Sequence, residues 1–502
     1  MSRELVESYT LTADGVSGNV SIFQDSEENV FLYDLVIPQL DIGTKALLQE
    51  AGEKLSRDVS VSVEEITDPQ KVKEMKQHFY EQALDRLKRE FSQVPEETLR
   101  IFAGILLHTM YGLGEIELFL ADDLLEEIAI NNSRYPFTVF HKKYGWMKTT
   151  KRIDDEESIY NFASQIGRKV GRQISSLDPI MDAHLLTGDR VAATLFPIST
   201  LGNTITIRKF ARSPWTIISL IANGTTSKEI VAFLWLAIQY EMNILVSGGT
   251  ASGKTSFINA LSLLIPPKQR VINIEDTREI ELSEPQHWNW VPLSSRDKNP
   301  EGLGEVTMLD LMIASLRMRP DRIIVGEVRR RKQAETMFEA MHTGHAVYTT
   351  MHADTVEQIK RRLLEPPIAI PKAEVEALHL IVVQHRDRRK NTRKTLEVAE
   401  VLHSGKELSV NYVFRWRPRM DVFEQSNQSV RIYEDLNLLS GMTVEQIEQD
   451  LLDKKLVLEW MIRKKMEGVQ QVGKIMELYY RDASKVLAAA KANMDYTALF
   501  GS

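Results

Sequence analysis

The glycine-rich stretch GGTASGKT at residues 248–255 constrains the fold more than any other part of the sequence, because it fits the pattern G-x-x-x-x-G-K-[ST]. The apolar run NILVS precedes it and the amphipathic run SFINALSLL follows it. A strand, a glycine-rich loop and a helix in this order allow successive backbone N–H groups and the positive end of the helix to converge on phosphate groups. The sequence therefore predicts a phosphate-binding loop, and a glycine-rich turn without a ligand is the alternative.

The residues of this loop have separate expected roles in binding a nucleotide. Lys254 is expected to reach the β- and γ-phosphates, and Thr255 is expected to bind Mg²⁺. ATP and Mg²⁺ are therefore the predicted cofactors, although the loop on its own is also compatible with GTP. The predicted nucleotide-binding residues of this segment are Gly248, Gly249, Thr250, Ala251, Ser252, Gly253, Lys254, Thr255 and Ser256.

Apolar runs alternate with helical stretches between residues 215 and 400. Four of these runs read as strands: NILVSGG, RVINIED, RIIVGEV and HAVYTTMHA. Their spacing predicts a doubly wound α/β domain with a largely parallel sheet. Ligands of such sheets bind at the carboxyl ends of the strands, so polar residues that follow each run are candidates for the site.

Carboxylates follow two of these predicted strands. Glu327 ends the run RIIVGE and is expected to polarise the attacking water as a general base, or alternatively to orient Mg²⁺ through a water. Glu275 and Glu279 follow the run VINI and are expected to hold the nucleophilic water and the water shell of the metal. The predicted catalytic carboxylates are therefore Glu327, Glu275 and Glu279, and the predicted metal ligands are Thr255, Glu327 and Glu275. Ordinary solvent-facing acidic residues are the alternative.

Three histidines, His342, His345 and His352, lie within eleven residues. Zinc is not expected, because the chain has no cysteine and no H-E-x-x-H pattern. A histidine at a strand end can instead donate a hydrogen bond to the γ-phosphate, so His345 and His352 are predicted to contact the nucleotide. For His342, an ordinary core histidine is the alternative.

Composition excludes several classes of protein. The 502 residues contain no cysteine, which rules out disulfides, thiolate metal sites and cysteine nucleophiles. The net charge of −8 does not favour binding to a phosphate backbone. The sequence has neither an apolar run of about 18 residues nor a signal peptide at its start, so a cytosolic protein is expected. The basic run 384–394 is predicted to be a solvated hairpin tip, with nucleic-acid or anionic-lipid binding as the alternative.

The four clusters together resemble those of the type II/type IV secretion and pilus-assembly ATPases. GGTASGKT resembles the Walker A motif of this family, and IEDTREI resembles its Asp box. LRMRPDRIIVGEVR resembles its Walker B motif, including the atypical glycine before the glutamate, and TGHAVYTTMHA resembles its His box. The motifs agree in order and spacing over residues 243–364. The nearest pattern is the archaeal branch, which includes pilus, Tad-like and archaellum motor ATPases.

The resemblance implies a homohexameric ring in which an N-terminal domain supplies arginines to a nucleotide at the subunit interface. Arg190 in GDR and Arg208 in TIRKF match those positions, and Arg172 is a third candidate. The family's ring docks on a polytopic membrane platform protein and moves pilin-like subunits, which implies peripheral association with the inner face of the cytoplasmic membrane. Nucleic acid is not an expected partner. An archaellum motor, a hexameric motor that translocates nucleic acid and a scaffold that does not hydrolyse ATP are the alternatives.

The predicted fold class is α/β. A RecA-like P-loop ATPase domain is preceded by a mixed α+β, PAS-like domain and is followed by a helical C-terminal extension. The predicted boundaries are 1–110 for an N-terminal strand and helix region, 111–210 for the regulatory α+β domain, 211–215 for a linker, 216–404 for the ATPase domain and 405–502 for the extension.

Overall fold

The structure of the protein is a computed structural model, and it describes residues 3–25, 30–38, 40–58, 69–170, 172–185, 188–209, 214–282, 286–296, 298, 302–403 and 408–500. The chain divides into two compact units, Met1–Arg212 and Ser213–Ser502. The predicted linker 211–215 spans this division, and its residues 211–213 lie outside the described part of the chain.

The N-terminal unit is built on a nine-stranded sheet. Its strands are β1 (Arg3–Ala13), β2 (Val16–Asp25), β3 (Val30–Val36), β4 (Leu125–Ile130), β5 (Thr138–His141), β6 (Gly145–Thr149), β7 (Ile180–His184), β8 (Arg190–Thr194) and β9 (Thr204–Arg208). Its helices are α1 (Ile42–Asp58), α2 (Pro69–Glu90), α3 (Glu96–Met110), α4 (Ile116–Ala121) and α5 (Glu156–Lys169). The unit is therefore mixed α and β, as the α+β prediction for this part of the chain requires.

The strand order β1-β2-β3-β6-β5-β4-β9-β8-β7 joins segments that were predicted to be separate. Strand β3 pairs in parallel with β6, and all other neighbours in this sheet are antiparallel. Residues 1–110 and 111–210 consequently share one sheet, and residue 110 is not a boundary between compact units. The alternation of buried and more exposed residues along β2 places Val16, Val20 and Ile22 in the common core.

The C-terminal unit contains a second nine-stranded sheet. Its strands are β10 (Ile244–Gly248), β11 (Val271–Glu275), β12 (Trp290–Ser294), β13 (Arg322–Val325), β14 (Ala346–Met351), β15 (Leu380–Asp387), β16 (Thr392–Leu402), β17 (Ser409–Arg417) and β18 (Val422–Gln425). The order is β12-β11-β13-β14-β10-β15-β16-β17-β18, and the first six strands in this order are parallel. All four strands predicted from the apolar runs are present.

Strand β10, which leads into the predicted phosphate loop, lies between β14 and β15 in the centre of the sheet. Every residue of β10, β11, β13 and β14 is buried. Burial on both faces is what a parallel sheet with helices on each side requires, and it explains why these strands are continuous apolar runs. This arrangement confirms the prediction of a RecA-like α/β domain.

Helices cover both faces of this sheet. They are α6 (Ile217–Ala222), α7 (Lys228–Gln239), α8 (Lys254–Ser262), α9 (Met308–Ser315), α10 (Arg331–His342), α11 (Val356–Leu364), α12 (Lys372–Val375), α13 (Arg431–Ser440), α14 (Val444–Arg463), α15 (Val469–Arg481), α16 (Ala483–Lys491) and α17 (Tyr496–Phe500), with a 3₁₀ turn at Gln286–Asn289. None of the helices that the structure describes is both long and apolar enough to cross a bilayer.

The segment predicted to be a separate extension is part of this unit. Strands β17 and β18 continue the central sheet, so residue 405 is not a boundary between compact units. Helix α7 is buried from Ile230 to Ile238 and shares one hydrophobic core with α14 and α15. The Trp235 indole N–H donates to the Tyr480 hydroxyl at 3.0 Å, and that hydroxyl donates to the Leu264 carbonyl, just after α8, at 2.6 Å. The C-terminal helices are thereby attached to the end of the helix that follows the phosphate loop.

A buried cation lies in the same core. The side chain of Lys454 on α14 is fully buried and donates to Asp450 Oδ1 at 2.5 Å. Its ammonium lies 5.4 Å from the Trp235 ring centroid and 5.5 Å from that of Tyr479. The carboxylate and the two rings replace part of the hydration that the buried charge has lost.

Candidate functional site

The phosphate loop leaves the sheet at the carboxyl end of β10. Gly248 ends the strand, and a Cβ atom there would lie 2.2 Å from the backbone oxygen of Gln384 on β15, so only glycine fits between the two strands. The next residues turn, and α8 begins at Lys254. Thr255 and Ser256 lie in its first turn. The predicted strand–loop–helix context is therefore present, with the N–H groups of the helix start beside the loop.

Lys254 folds back on its own loop. Its side chain is largely buried, with the residue 8% exposed, and its ammonium donates to the Gly249 carbonyl at 3.0 Å and to His352 Nδ1 at 3.2 Å. Because an ammonium group only donates, Nδ1 of His352 acts as the acceptor. The proton of a neutral imidazole is then on Nε2.

His352 connects the phosphate loop to Glu327. It follows β14, the parallel neighbour of β10, and its Nε2 atom lies 3.4 Å from Glu327 Oε1. Burial, followed by the nearby Lys254 ammonium, lowers the pKa of His352 below its usual value, which favours the neutral ring. The structure thus brings Lys254, His352 and Glu327 into one line at the carboxyl edge of the sheet.

Glu327 is held in place by Arg329, which is not among the predicted site residues. Its side chain is 16% exposed, and the Arg329 guanidinium donates to Glu327 Oε2 at 2.7 Å. Arg329 also lies 3.6 Å from Asp276 Oδ2, in the loop after β11. Arg329 therefore links the loops that follow β13 and β11, and its position two residues after Glu327 was the only signal in the sequence.

Glu275 occupies a different environment from the one predicted. The residue is 2% exposed, and its Oε1 atom accepts hydrogen bonds from the backbone N–H groups of Glu279 at 3.0 Å and Ile280 at 3.2 Å. Its Oε2 atom accepts from Asn273 Nδ2 at 2.7 Å. Burial raises the pKa of Glu275 to about 8. Both carboxylate oxygens accept hydrogen bonds from β11 and the loop that follows it. The structure therefore does not support the predicted roles of Glu275 as a catalytic group and metal ligand.

The atypical glycine before Glu327 is explained by this buried carboxylate. A Cβ atom on Gly326 would lie 3.1 Å from Cγ of Glu275, a tighter contact than most side chains make. The Gly326 carbonyl also accepts a hydrogen bond from the Thr350 hydroxyl at 2.5 Å. Glycine at this position therefore leaves room for Glu275 between β11 and β13.

Glu279 lies in the loop after β11, with a half-buried side chain and a backbone N–H that is bound by Glu275. Two residues further on, the N–H of Glu281 donates to Asn259 Oδ1 of α8 at 3.3 Å. The loop that carries Glu279 is consequently held against the helix that follows the phosphate loop. This placement is compatible with the predicted catalytic role, which stays a prediction.

The two predicted nucleotide-sensing histidines lie at opposite ends of β14. His345 precedes the strand, and its Nδ1 atom lies 3.1 Å from the Thr343 hydroxyl and 3.2 Å from the Ala340 carbonyl, at the end of α10. Because β14 is parallel to β10, its amino end is at the edge of the sheet opposite to the phosphate loop. The structure therefore separates His345 from the phosphate loop of the same chain. His342 is half exposed and lies 3.0 Å from Glu374 Oε2, so it is not a core histidine.

The predicted arginines belong to the N-terminal unit. Arg190 on β8 and Arg208 on β9 are direct partners in the register of the sheet, so both side chains lie on the same face. Arg190 donates to both oxygens of Asp182 on β7, at 3.0 and 2.5 Å. Arg208 lies opposite Glu127 on β4. Arg172, the third candidate, lies between α5 and β7.

The donor set beside the phosphate loop fits Mg²⁺. Within the described residues, no group of three or more His, Asp or Glu side chains could hold a metal ion on its own. Mg²⁺ does not need such a group, because it keeps several waters and takes one or two protein oxygens beside the phosphates. The Thr255 hydroxyl at the start of α8 and the Glu327 carboxylate are two oxygens at the carboxyl edge that match this requirement.

The basic run 384–394 forms a hairpin, as predicted, but it is not simply solvated. β15 and β16 pair in antiparallel fashion up to Asp387 and Thr392. Arg393 Nε donates to the carbonyl of Ala251 in the phosphate loop at 3.2 Å. The sequence contained the basic residues but no signal that one of them contacts this loop.

Comparison with known proteins identifies a family and several similar proteins. Residues 183–435, half of the chain, match the family model described as Type II/IV secretion system protein. The uncharacterized protein MJ0900 of Methanocaldococcus jannaschii is 34% identical over 395 residues, which cover 77% of this chain and 70% of that protein. The type IV secretion system protein VirB11 of Bartonella henselae is 30% identical over 280 residues, which cover 48% of this chain and 76% of VirB11. The solved ATPase DotB of Legionella pneumophila is 19% identical, with a TM-score of 0.42, and the match covers 73% of this chain and 92% of DotB.

Proposed function

The chain belongs to the type II/IV secretion system protein family and is an ATP hydrolase, and from this premise we propose that it forms a hexameric motor that powers the assembly or secretion of type IV pilus-like filaments at the cytoplasmic membrane. The observation that carries the proposal is the line from Lys254 through His352 to Glu327. In this line an ammonium group, an imidazole and a carboxylate lie at the edge of the sheet where nucleotides bind in α/β folds.

The proposed reaction begins when the phosphates of ATP enter the loop. Backbone N–H groups of the loop and of the first turn of α8 bind the phosphate oxygens. Lys254 then breaks its hydrogen bonds to the Gly249 carbonyl and to His352 and binds the γ-phosphate. It does so because a phosphate oxygen is a stronger hydrogen-bond acceptor for an ammonium group than either of them. Once released from Lys254, the His352 ring can turn its Nε2–H from Glu327 toward the γ-phosphate or the attacking water.

Glu327 is proposed to accept the proton of the attacking water. Its Oε1 atom faces His352 and its Oε2 atom is held by Arg329, so the carboxylate is oriented before the nucleotide arrives. Thr255 and Glu327 would hold Mg²⁺, which supplies positive charge to the β- and γ-phosphate oxygens when bound. Glu279 and the arginine pair Arg190 and Arg208 are proposed to complete the site, the arginines in a neighbouring subunit of the hexamer.

The work of each cycle would be delivered to other proteins at the membrane. Each of the two compact units has its own sheet and hydrophobic core. The proposed partners are a polytopic membrane platform protein and, through it, pilin-like subunits. The names of the secretion relatives support a role in secretion, and the net charge of −8 argues against nucleic acid as the cargo.

The central test uses Glu327→Gln, with Glu335→Gln on α10 as the matched control. Glu335 is exposed, pairs with Arg331 and is not part of the site. We expect Glu327→Gln to lower kcat by at least about a hundredfold while ATP binding persists, because the proton acceptor is lost whereas the phosphate loop and Thr255 would still hold the phosphates and Mg²⁺. Wild-type turnover in Glu327→Gln would contradict the assigned role of this carboxylate.

The motor assignment needs two further measurements. Sedimentation of the full chain with a non-hydrolysable ATP analogue is expected to give six times the mass of the protomer. ATP hydrolysis is expected to rise when the matching membrane platform protein is added in detergent or vesicles. Stimulation by DNA or RNA in place of the platform protein would instead support a nucleic-acid motor and refute the proposal.

A further inference from the structure

The hairpin of β15 and β16 stands directly beside the phosphate loop. Strand β15 is the parallel neighbour of β10, and Gln384 is the register partner of Gly248, where β10 ends. β15 continues to Asp387, and β16 returns from Thr392. The hairpin therefore extends past the edge of the sheet on the same side as the loop.

Arg393 of this hairpin contacts the outer side of the phosphate loop. Its Nε atom donates to the carbonyl of Ala251 at 3.2 Å. Ala251 has a φ of 58°, a left-handed conformation that a residue with a side chain adopts only at a cost in energy. In a loop whose N–H groups converge on a phosphate, carbonyl groups point away from the ligand, and Arg393 binds one of them.

The aliphatic part of Arg393 also packs against the loop. Its Cδ atom lies 3.3 Å from the position that a Cβ atom on Gly253 would occupy. Gly253 is the N-terminal cap of α8 and has a φ of 89°. One side chain thus contacts two residues of the loop that have a positive φ, Ala251 through a hydrogen bond and Gly253 through packing.

The hairpin is fixed to the rest of the unit by the two residues that follow Arg393. The next residue, Lys394, lies 2.7 Å from Asp421 Oδ1 between β17 and β18. The N–H of Thr395 donates to the Thr225 carbonyl at 2.7 Å, and the Thr395 hydroxyl accepts from Gln384 Nε2 at 2.9 Å. Arg393 is therefore presented from a supported strand rather than from a free loop.

The cross-strand pairing of Arg393 in the hairpin also indicates that this residue has a function. Arg393 and Arg386 are direct cross-strand partners, and like charges in this position destabilise a sheet. Arg386 donates to Asn391 Oδ1 at 3.1 Å across the turn. Two arginines side by side next to a phosphate site are explained if at least one of them serves that site.

We propose that Arg393 is a positioning residue for nucleotide binding. It holds the Ala251 carbonyl and the Gly253 backbone from outside, so the loop keeps its N–H groups directed at the phosphates before a nucleotide binds. The inference rests on the nucleotide site proposed above and adds a residue to it that acts through the loop.

The test compares three variants of the full chain. Arg393→Ala removes the contact, and Arg393→Lys keeps the charge and a donor. Arg389→Ala removes one positive charge from the exposed turn of the same hairpin and is the matched control. The dissociation constants of a fluorescent ATP analogue and of ADP are measured together with KM and kcat. Amide hydrogen exchange of residues 249–253 without nucleotide reports the order of the loop.

Arg393→Ala is expected to raise both dissociation constants and KM by roughly tenfold to a hundredfold, as expected for loss of a hydrogen bond from a charged group, with little change in kcat. Exchange in the loop is expected to be faster. Arg393→Lys should recover part of the affinity, and Arg389→Ala should behave as the wild type. If Arg393→Ala does not fold, Arg393→Lys carries the test, with weaker affinity than the wild type expected.

Three results would overturn the inference. Unchanged affinity in Arg393→Ala would remove the role altogether. Equal loss in Arg389→Ala would show that the charge of the hairpin, and not the position of Arg393, supports binding. A fall in kcat at constant KM would place Arg393 at the reacting phosphate instead. A wild-type protein that binds no ATP would mean the failure of the nucleotide site itself, which is a different outcome from these three.

Discussion

Replacement of the buried Glu275 by glutamine is expected to change how stability depends on pH. Burial raises the pKa of this carboxyl from its usual value near 4.5 to about 8 in the folded protein, whereas the unfolded chain titrates near the usual value. Between these two values the folded state holds a proton that the unfolded state has released. The free energy of unfolding therefore falls as pH rises through this window.

The size of the effect follows from the two pKa values. At about 1.4 kcal/mol for each pH unit, a change from 4.5 to about 8 corresponds to about 5 kcal/mol between pH 4.5 and pH 8, as an upper bound. Glutamine does not titrate, and its carbonyl can still accept from the N–H groups of Glu279 and Ile280. Its amide group would face Asn273 Nδ2, and that lost hydrogen bond costs about 1 kcal/mol at every pH.

The expected result is a crossing of two stability curves. Glu275→Gln should be slightly less stable than the wild type near pH 5 and more stable near pH 8. The difference in the free energy of unfolding is measured by urea unfolding at several pH values, without nucleotide or divalent cations. Unfolding is followed by tryptophan fluorescence, because Trp290, which donates to Asn273, lies next to the site. The exposed Glu335→Gln is the control. Parallel curves for Glu275→Gln and the wild type would refute the assignment of a buried, protonated carboxyl.

Three shorter predictions address other contacts. His352→Ala is expected to lower kcat by at least about tenfold with little effect on ADP affinity, whereas His342→Ala, at the far edge of the sheet, should leave both unchanged in steady-state assays. Gly326→Ala should lower the free energy of unfolding by about 1–3 kcal/mol, because its methyl group would contact Glu275. A melting temperature equal to that of the wild type would contradict this. Lys454→Met should cost about 3–5 kcal/mol by leaving Asp450 without its cation, and Lys455→Met, on the same helix, should cost much less in the same denaturation assay.

Local patterns were sufficient to predict the ATPase core. The phosphate loop and its strand, and the strand that ends before Glu327, are each encoded by contiguous residues, and the structure contains them as predicted. The sequence also shows which residues lie at which end of a parallel strand. His345 stands before its apolar run and His352 after it, so their separation to opposite edges followed from the sequence once the strand was placed.

Non-local pairing could not be predicted in the same way. Nothing in the residues of β3 indicates that they pair with β6, more than a hundred positions later, so the boundary placed at residue 110 was wrong. The environments of Glu275 and Arg393 also depend on residues that are distant in the sequence. The first is buried because Gly326 leaves space for it, and the second contacts Ala251 from a distant hairpin, and neither relation is visible in a stretch of consecutive residues.

The attachment of the C-terminal helices to α7 limits how this protein can be divided. A chain that stopped before α13 would leave the apolar surface around Trp235 in water and would remove the Tyr480 hydroxyl from the Leu264 carbonyl. Such a shortened protein would be expected to aggregate rather than to retain ATPase activity. The C-terminal helices therefore cannot be exchanged between relatives as an independent module, and any chimera should join its parts on the N-terminal side of α6.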